Sequence, residues 1–450
     1  MVRQLFGTDG VRGVAGDYPL DARTVHALGA ALGDVTGRLV PDPQVVIGMD
    51  TRESGPWIAE QVAGGLVRRG AVVRFAGITT TPGVAYLTRT GPFIAGVMIS
   101  ASHNPYRDNG IKLFGHSGYK LPDAEEQAIE QEIFALLESG LEPERCELVQ
   151  DPDLDSLYVD SLAATMKRPL AGLRVVLDCG NGAASRLGPE LFERLGASVE
   201  AICASPDGRN INLGCGALHV DGLRERVLAS GASLGVAFDG DADRAIFVSA
   251  GGKVVNGDGV LLMVARRLAS LGRLPGPEGR PTVVATVMSN LGLERALANH
   301  GIRMLRTPVG DKYVLEEMLR TGAVLGGEQS GHVIFLDYAT TGDGILTALR
   351  VAEIMLESGQ GLDELTAELE VYPQLLLNIK VHNRRPLEEM PAVAAEIRAA
   401  EQAFGDAGRV LVRFSGTEPL ARVMVEGPDL ERVESYSASI ADVIRREMGA

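Results

Sequence analysis

Three segments of the chain repeat one plan: an apolar strand, a polar turn, a helix ending at glycine, then a second apolar strand and a loop. They run from VVIGMD to RRGAVVRFAG, from RVVLDCG to ERLGASVEAIC, and from TVVATVMSN to ANHGIRMLRTP. Gly70, Gly196 and Gly301 stand where each helix stops, a position that takes a left-handed residue and suits glycine because it has no Cβ. Strand, helix and strand in this order make a right-handed crossover and a mostly parallel sheet. The similar lengths of the three segments predict three related mixed-sheet α/β domains. From Val371 the pattern changes to a strand (LLLNIKV), a helix over Pro391–Phe404, two strands around RFSGTEP and a terminal helix over Leu430–Met448. That is an α+β domain. The expected boundaries are 1–151, 152–250, 251–370 and 371–450, with the domains arranged around a central cleft.

Within the first domain, GVMISASHNPYRDNGIKLF sets a hydroxyl, Ser102, on a loop between two apolar strands, Ala95–Ile99 and Ile111–Phe114. Asn104, Pro105, Asp108, Asn109 and Gly110 are turn formers and read as loop. Ser102 and Lys112 then meet at one mouth. The adjacent His103 is not expected to turn back onto Ser102 as a base, and with no G-x-S-x-G in the chain a serine hydrolase finds no support.

A second cluster, DGDADR, follows the apolar run Ala232–Phe238. Period-two spacing projects Asp239, Asp241 and Asp243 to one side, where three carboxylates repel one another without a cation. Oxygen donors suit magnesium, which keeps a position for a phosphate oxygen. A calcium loop of the EF-hand kind needs Gly at its sixth position and Glu at its twelfth, where this chain has Arg244 and Ala250. An aspartyl-phosphate enzyme using Asp239 stays open as a competitor, although the fifth motif position holds Asp243.

Two more clusters follow. GGEQSGH places Glu328, Ser330 and His332 in a tight loop before the strand VIFL, suited to sugar hydroxyls plus one imidazole. RFSGTEP places Arg413, Ser415, Gly416 and Thr417 where side chains and turn amides converge on a dianion. The Walker pattern is absent, so nucleotide hydrolysis finds no support.

On FGTDGVRG, ISASHNP, DGDADR, GEQSGH and R-x-S-G-T-E-P, which run in order from end to end, the chain resembles the α-D-phosphohexomutases. The resemblance implies a phosphorylated Ser102 and one magnesium ion held by it with Asp239, Asp241 and Asp243. It implies that Arg244 steadies the phosphate and that Glu328 and Ser330 bind sugar hydroxyls. Arg413, Ser415, Gly416 and Thr417 would hold the non-reacting phosphate, while Arg12, Lys112 and His332 supply positive charge or proton transfer. The reaction it implies is phosphate exchange between C6 and C1 of one sugar, with a sugar 1,6-bisphosphate as intermediate and activator. Gln329 stands where glucose and mannose phosphate enzymes usually carry Met or Glu, which points to glucosamine phosphates; glucose or mannose phosphates are the alternative. Departures from the family pattern fall at Phe414, His116, Ala217, Leu218 and Ala242. The last replaces a glycine, and a positive φ there would cost about 1 kcal/mol.

Composition is consistent with this. With 43 Lys and Arg against 59 Asp and Glu, the net charge is −16, which argues against a nucleic-acid partner and requires the basic groups to concentrate at an anion site. Cys146, Cys179, Cys203 and Cys215 show no C-x-x-C spacing and are expected to be buried thiols in a reducing compartment. GVLLMVARRLASL is broken by Arg266 and Arg267, so no membrane span is expected. FGTDGVRG begins at Phe6, leaving no room for a leader, and a cytoplasmic location is expected. The partner is a small sugar phosphate. A monomer or homodimer, and an activating kinase or autophosphorylation, remain open.

Overall fold

The computed structural model describes residues 4–7, 9–382, 385–386, 389–414 and 419–449. It falls into two compact units, Met1–Met288 with Ile302–Ala367 and Ser289–Gly301 with Glu368–Ala450.

The chain begins with β1 (Val11–Val14), α1 (Ala22–Leu39), β2 (Gln44–Met49), α2 (Gly55–Arg68), β3 (Val72–Ile78), α3 (Thr81–Thr90), β4 (Ala95–Ile99), β5 (Asp108–Gly115) and α4 (Asp123–Glu138). Next come α5 (Pro152–Ala164), β6 (Arg174–Asp178), α6 (Ala184–Arg194), β7 (Ser198–Ile202), α7 (Asp221–Ser230), β8 (Leu234–Phe238), β9 (Ala245–Ser249) and β10 (Val254–Val255). The third stretch holds α8 (Gly257–Ser270), β11 (Thr282–Thr286), α9 (Leu291–Asn299), β12 (Arg303–Thr307), α10 (Asp311–Thr321), β13 (Leu325–Gly327), β14 (Val333–Phe335), α11 (Gly344–Ser358) and α12 (Leu362–Leu365). The last holds β15 (Gln374–Lys380), α13 (Pro391–Phe404), β16 (Arg409–Phe414), β17 (Leu420–Glu426) and α14 (Leu430–Met448).

The repeat visible in the sequence is a repeat of topology. The first three sheets contain the same four-strand core, ordered β5-β4-β2-β3, β9-β8-β6-β7 and β14-β13-β11-β12. In each, the first strand of the repeat lies parallel to the second and third, and the fourth returns antiparallel to the third. The sheets are therefore mixed. Gly70, Gly196 and Gly301 have φ of +84°, +93° and +69° just past α2, α6 and α9, the left-handed closure that glycine allows.

Strand periodicity explains how a charged side chain enters this framework. Val45 and Ile47 on β2 and Ile111 and Leu113 on β5 join one core with α1, α2 and α4. Val46, Met98 and Phe114 point the other way into a second core with residues of α3 and α5. Lys112 shares the parity of Phe114 and lies opposite Met98 in the register, buried yet on the face away from the larger core. Asp108–Gly110, expected as loop, belongs to β5 because β1 pairs with it, Val14 opposite Asp108 and Arg12 opposite Gly110. Backbone pairing with an edge strand outweighs the turn preference of those residues. Burial of the thiols also differs from expectation: Cys179 and Cys215 are buried, whereas Cys146 and Cys203 are partly exposed.

In the second unit an antiparallel sheet, β15-β17-β16, packs on α13 and α14 through Ile379, Val393, Phe404, Val423, Ile440 and Ile444. The crossover helix of the third repeat, α9, clusters with this unit. Asn290 caps α9 and exchanges two hydrogen bonds with the Tyr372 backbone, and Glu426 accepts from the Leu291 amide.

Asp343 caps α11 through the Leu346 amide at 2.9 Å and accepts from the Tyr158 hydroxyl of α5 at 2.9 Å. Burial raises its carboxyl from the ordinary 3.8 to about 6. A raised carboxyl stabilises the fold below its unfolded value, and that contribution is lost as pH rises through the folded one. Wild type should therefore lose roughly 3 kcal/mol relative to Asp343→Asn between pH 4 and pH 7. Urea midpoints at the two pH values check this, and parallel shifts in the two proteins would refute it.

Candidate functional site

The three equivalent hairpins, between the third and fourth strands of each repeat, carry the three motifs. The β4–β5 loop holds Ser102, the β8–β9 loop holds Asp239, Asp241 and Asp243, and the β13–β14 loop holds Glu328, Ser330 and His332. They converge. Ser102 Oγ donates to Asp239 Oδ2 at 2.6 Å, and the Ala245 amide donates to the Gly331 carbonyl at 3.1 Å.

Ser102 sits at φ +53°, uncommon for a non-glycine residue and sustained by its surroundings. Its amide donates to Ser100 Oγ, which donates to Asp50 Oδ2. Arg52 is fully buried, pairs with Asp50 and donates to the carbonyls of Ser102 and Asn104. Asn212 Nδ2 donates to the same two carbonyls at 3.0 and 3.2 Å. The hydroxyl is thus presented by a clamp drawn from distant parts of the chain.

His103 differs from expectation. The left-handed backbone at Ser102 brings its Nδ1 within 3.3 Å of Ser102 Oγ. That nitrogen also lies 2.9 Å from Arg244 Nη1, and burial followed by the Arg244 charge pushes the imidazole down to about 4. His103 is a neutral acceptor for Arg244, and the serine proton goes to Asp239 instead.

The carboxylate oxygens of Asp239, Asp241 and Asp243 lie within 4.8 Å of one another, all in buried residues. Among the described residues, Asp241 Oδ1 and Asp243 Oδ1 accept no hydrogen bond. Two orphaned hard oxygens beside a third carboxylate and a serine hydroxyl fit a magnesium ion. Burial and the neighbouring Asp243 and Asp241 raise Asp239 well above the usual carboxylate range. Burial opposes ionisation of Asp243 too, but Lys112 and His332 outweigh it and hold that carboxyl well below the range. Ala242 does adopt a positive φ, +54°, held by hydrogen bonds from its amide to the Asp239 carbonyl and from the Gly344 amide to its own carbonyl. The cost of about 1 kcal/mol is therefore present and absorbed.

Lys112 supplies the counter-charge. Its Nζ lies 2.8 Å from Asp241 Oδ2, 3.5 Å from Asp243 Oδ2 and 3.2 Å from Asp9 Oδ2. Burial disfavours the ammonium, yet the three carboxylates hold its proton more tightly than normal. The alternation of charge continues outward: Asp9 also pairs with Arg12 and Lys120, and Lys120 pairs with Asp311. His332 stands between Asp243, 3.6 Å from Nδ1, and Asp311, 3.8 Å from Nε2. The Gly342 amide donates to Nε2 at 3.0 Å, which assigns the ring proton to Nδ1, facing Asp243. Arg244 Nε lies 3.8 Å from Asp243 and 4.0 Å from Asp239.

Glu328 accepts from the Gly310 amide at 3.1 Å, and Ser330 Oγ donates to Glu328 at 3.3 Å from an exposed position. Arg413 is on β16 of the second unit, opposite Arg422 in register; burial and that like charge lower its proton affinity. Ser415, Gly416 and Thr417 lie outside the described residues.

Sequence reasoning missed the clamp and the outer ring. Asp50 and Arg52 lie just past β2, and Asp9 lies inside FGTDGVRG, so a position-by-position reading of those segments would have raised them. Nothing local marks Asn212, Lys120 or Asp311, whose partners are 110 and 191 residues away.

Gly240 tests the clamp. A Cβ there would sit 2.6 Å from the Ser102 carbonyl and 2.8 Å from Ile211 Cδ1. Gly240→Ala is expected to displace the Ser102 loop and reduce turnover at least about tenfold while far-ultraviolet circular dichroism stays native. Wild-type turnover would show that the approach is not constraining.

The phosphoglucomutase/phosphomannomutase family matches the chain in four pieces: alpha/beta/alpha domain I at residues 3–139, domain II at 156–252, domain III at 256–372 and the C-terminal domain at 376–443. A phosphoglucosamine mutase of Solibacter usitatus (strain Ellin6076) is 65% identical over 449 residues, covering 100% of both chains. One of Koribacter versatilis (strain Ellin345) is 52% identical over 460 residues, covering 100% of this chain and 98% of its own. The crystal structure of a phosphoglucomutase/phosphomannomutase family protein from Burkholderia thailandensis is similar at a TM-score of 0.80 and 25% identity, with 98% of this chain and 97% of that one covered. With four domains matched in order and full-length relatives at this identity, the chain belongs to the phosphoglucomutase/phosphomannomutase family.

Proposed function

We propose that the protein interconverts glucosamine 6-phosphate and glucosamine 1-phosphate through a phosphorylated Ser102 and a 1,6-bisphosphate intermediate, on the route to UDP-N-acetylglucosamine in the cytoplasm. The observation that carries the reading is the buried Ser102 hydroxyl, 2.6 Å from Asp239 and beside two further aspartates, Lys112 and Arg244. Full-length relatives called phosphoglucosamine mutase support the choice of sugar. Among the described residues no helix is long and apolar enough to cross a membrane.

Moving a phosphate directly between C6 and C1 would require a site spanning the ring, and a phosphoserine removes that need. The bond from phosphorus to Ser102 Oγ breaks as one forms to the C1 oxygen, and the C1 hydroxyl gives up its proton. The resulting bisphosphate turns over, and its C6 phosphate returns to Ser102 by the reverse chemistry. Catalysis is then positioning plus neutralisation of the three equatorial oxygens of the transferring group. In this reading Lys112 and Arg244 supply that charge, with Arg12 at the edge. Lys112, held as ammonium by three carboxylates, supplies charge and does not accept the C1 proton. Magnesium would be held by Asp239, Asp241, Asp243 and the Ser102 phosphate, where it polarises the phosphoryl group as a Lewis acid.

Glu328 and Ser330 are assigned to sugar hydroxyls, and Arg413, Ser415, Gly416 and Thr417 to the phosphate that is not reacting. The like-charged neighbours Arg413 and Arg422 suit a dianion. An aspartyl-phosphate reading fares worse, because both oxygens of Asp239 are engaged, by Ser102 Oγ and by the Arg244 amide at 3.1 Å.

Phosphorus NMR of the protein with magnesium, a trace of sugar 1,6-bisphosphate and, separately, glucosamine, glucose and mannose 6-phosphates tests the reading. Glucosamine 1-phosphate is expected to form fastest. Preference for glucose or mannose would overturn the role given to Gln329, and orthophosphate alone would favour the phosphatase. Ser102→Ala and Asp241→Ala are each expected to lower turnover at least about a thousandfold with the fold intact; substantial activity in either sinks the assignment. Chelation should abolish turnover and magnesium restore it.

A further inference from the structure

Asp178 ends β6, the position that Asp50 follows in the first repeat, but the two carboxylates have different company. Asp50 pairs with Arg52. Asp178 is 1% exposed, and among the described residues no lysine, arginine or histidine pairs with it. Its Oδ1 accepts from the Gly180 amide and its Oδ2 from the Gly216 amide, both at 2.9 Å, and the Cys203 thiol also hydrogen-bonds the carboxylate. The remaining neighbours are two thiols. The ligand atoms of Asp178, Cys203 and Cys215 all lie within 4.8 Å of one another. A buried carboxyl without counter-charge is accommodated by hydrogen bonds and protonation, or it coordinates a metal ion.

We propose that Asp178, Cys203 and Cys215 form a second metal site, selective for a thiophilic divalent ion of the zinc class and separate from the aspartate cluster at Ser102. Two sulfurs and one carboxylate give three protein ligands and leave a fourth position for water or a small thiol. Thiolate donors reject magnesium, so the two sites sort ions by softness. Asn181 Nδ2 lies 3.8 Å from Cys215 Sγ and supplies the outer donor that a metal-bound sulfur takes. Cys203 is partly exposed and marks the way in, while Asp178 and Cys215 are buried. On binding, each thiol loses its proton to solvent as its sulfur bonds the ion, and no electrons are transferred.

The site adjoins the segment that holds the Ser102 loop. Asn181 donates to the Cys203 carbonyl through its amide and accepts from Thr51 Oγ1 at its own carbonyl, both at 2.6 Å. Asn212, between the two cysteines in sequence, donates to the Gly180 carbonyl through its amide and to Ser102 through its side chain. A bound ion cross-links the ends of residues 203–215 and stiffens the support of Asn212.

The test titrates the full chain with cobalt(II) in the presence of excess magnesium, which occupies the aspartate cluster. One equivalent is expected to produce near-ultraviolet thiolate-to-cobalt charge-transfer absorption, retained in Cys146→Ser and lost in Cys203→Ser and in Cys215→Ser. A second measurement needs no variant. In wild type, cobalt should slow alkylation of Cys203, read by peptide mass spectrometry, at least about tenfold because the coordinated sulfur no longer attacks. Alkylation of Cys146 should be unchanged. Absence of charge-transfer absorption in wild type, its persistence in both serine variants, or undiminished alkylation of Cys203 would each overturn the proposal.

Discussion

Three carboxylates cannot remain ionised within 4.8 Å of one another inside a protein unless positive charge reaches them, and the first unit is organised around that requirement. Lys112 meets it from β5, where strand alternation turns one residue of IKLF away from the larger apolar core. Arg244 follows directly from the metal loop, and His332 enters from the third repeat. Asp9, Lys120 and Asp311 extend the alternation, so each buried charge in the set has an opposite neighbour. Removing one cation would leave a buried carboxylate uncompensated, which destabilises by several kcal/mol.

The same topology used three times provides the geometry for this balance. In each repeat a buried strand runs outward, a short loop turns, and an antiparallel strand returns. The loop can bear polar groups because it lies at the end of the sheet, where ladder pairing between the two strands stops. Anchoring the loop at both ends by strands makes positions such as φ +53° at Ser102 and +54° at Ala242 sustainable. The strain is local and the framework that opposes it is rigid.

What the sequence made legible follows from this. Ser102 and the three aspartates stand out because polar residues directly follow uniformly apolar strands, and the period of two determines which of them share a side. The C-terminal elements could be read for a similar reason, since RFSGTEP interrupts two alternating strands between well-delimited helices. Asp108–Gly110 was misread because its pairing partner, β1, lies some ninety residues earlier and turn propensity knows nothing of it. His103 comes nearer Ser102 than expected, though not as its base, because its direction depends on one left-handed φ at the preceding residue. Asn212, Lys120 and Asp311 have no local signature at all; their meaning comes from contacts that exist only after the chain has folded.

Lys112 also determines what happens when the site fills. In the protein alone its ammonium rests against Asp241 like a tethered cation. In the proposed function a divalent ion would add two positive charges, and a phosphoryl group on Ser102 nearly two negative ones. The pair is close to electroneutral, so the hollow carries about the same net charge before and after loading. Because the ion's charge would be taken up by the phosphoryl group, Lys112 would still be needed against Asp241 and Asp243. Such loading would leave the charge balance among Lys112, Asp241 and Asp243 as it stands in the protein alone.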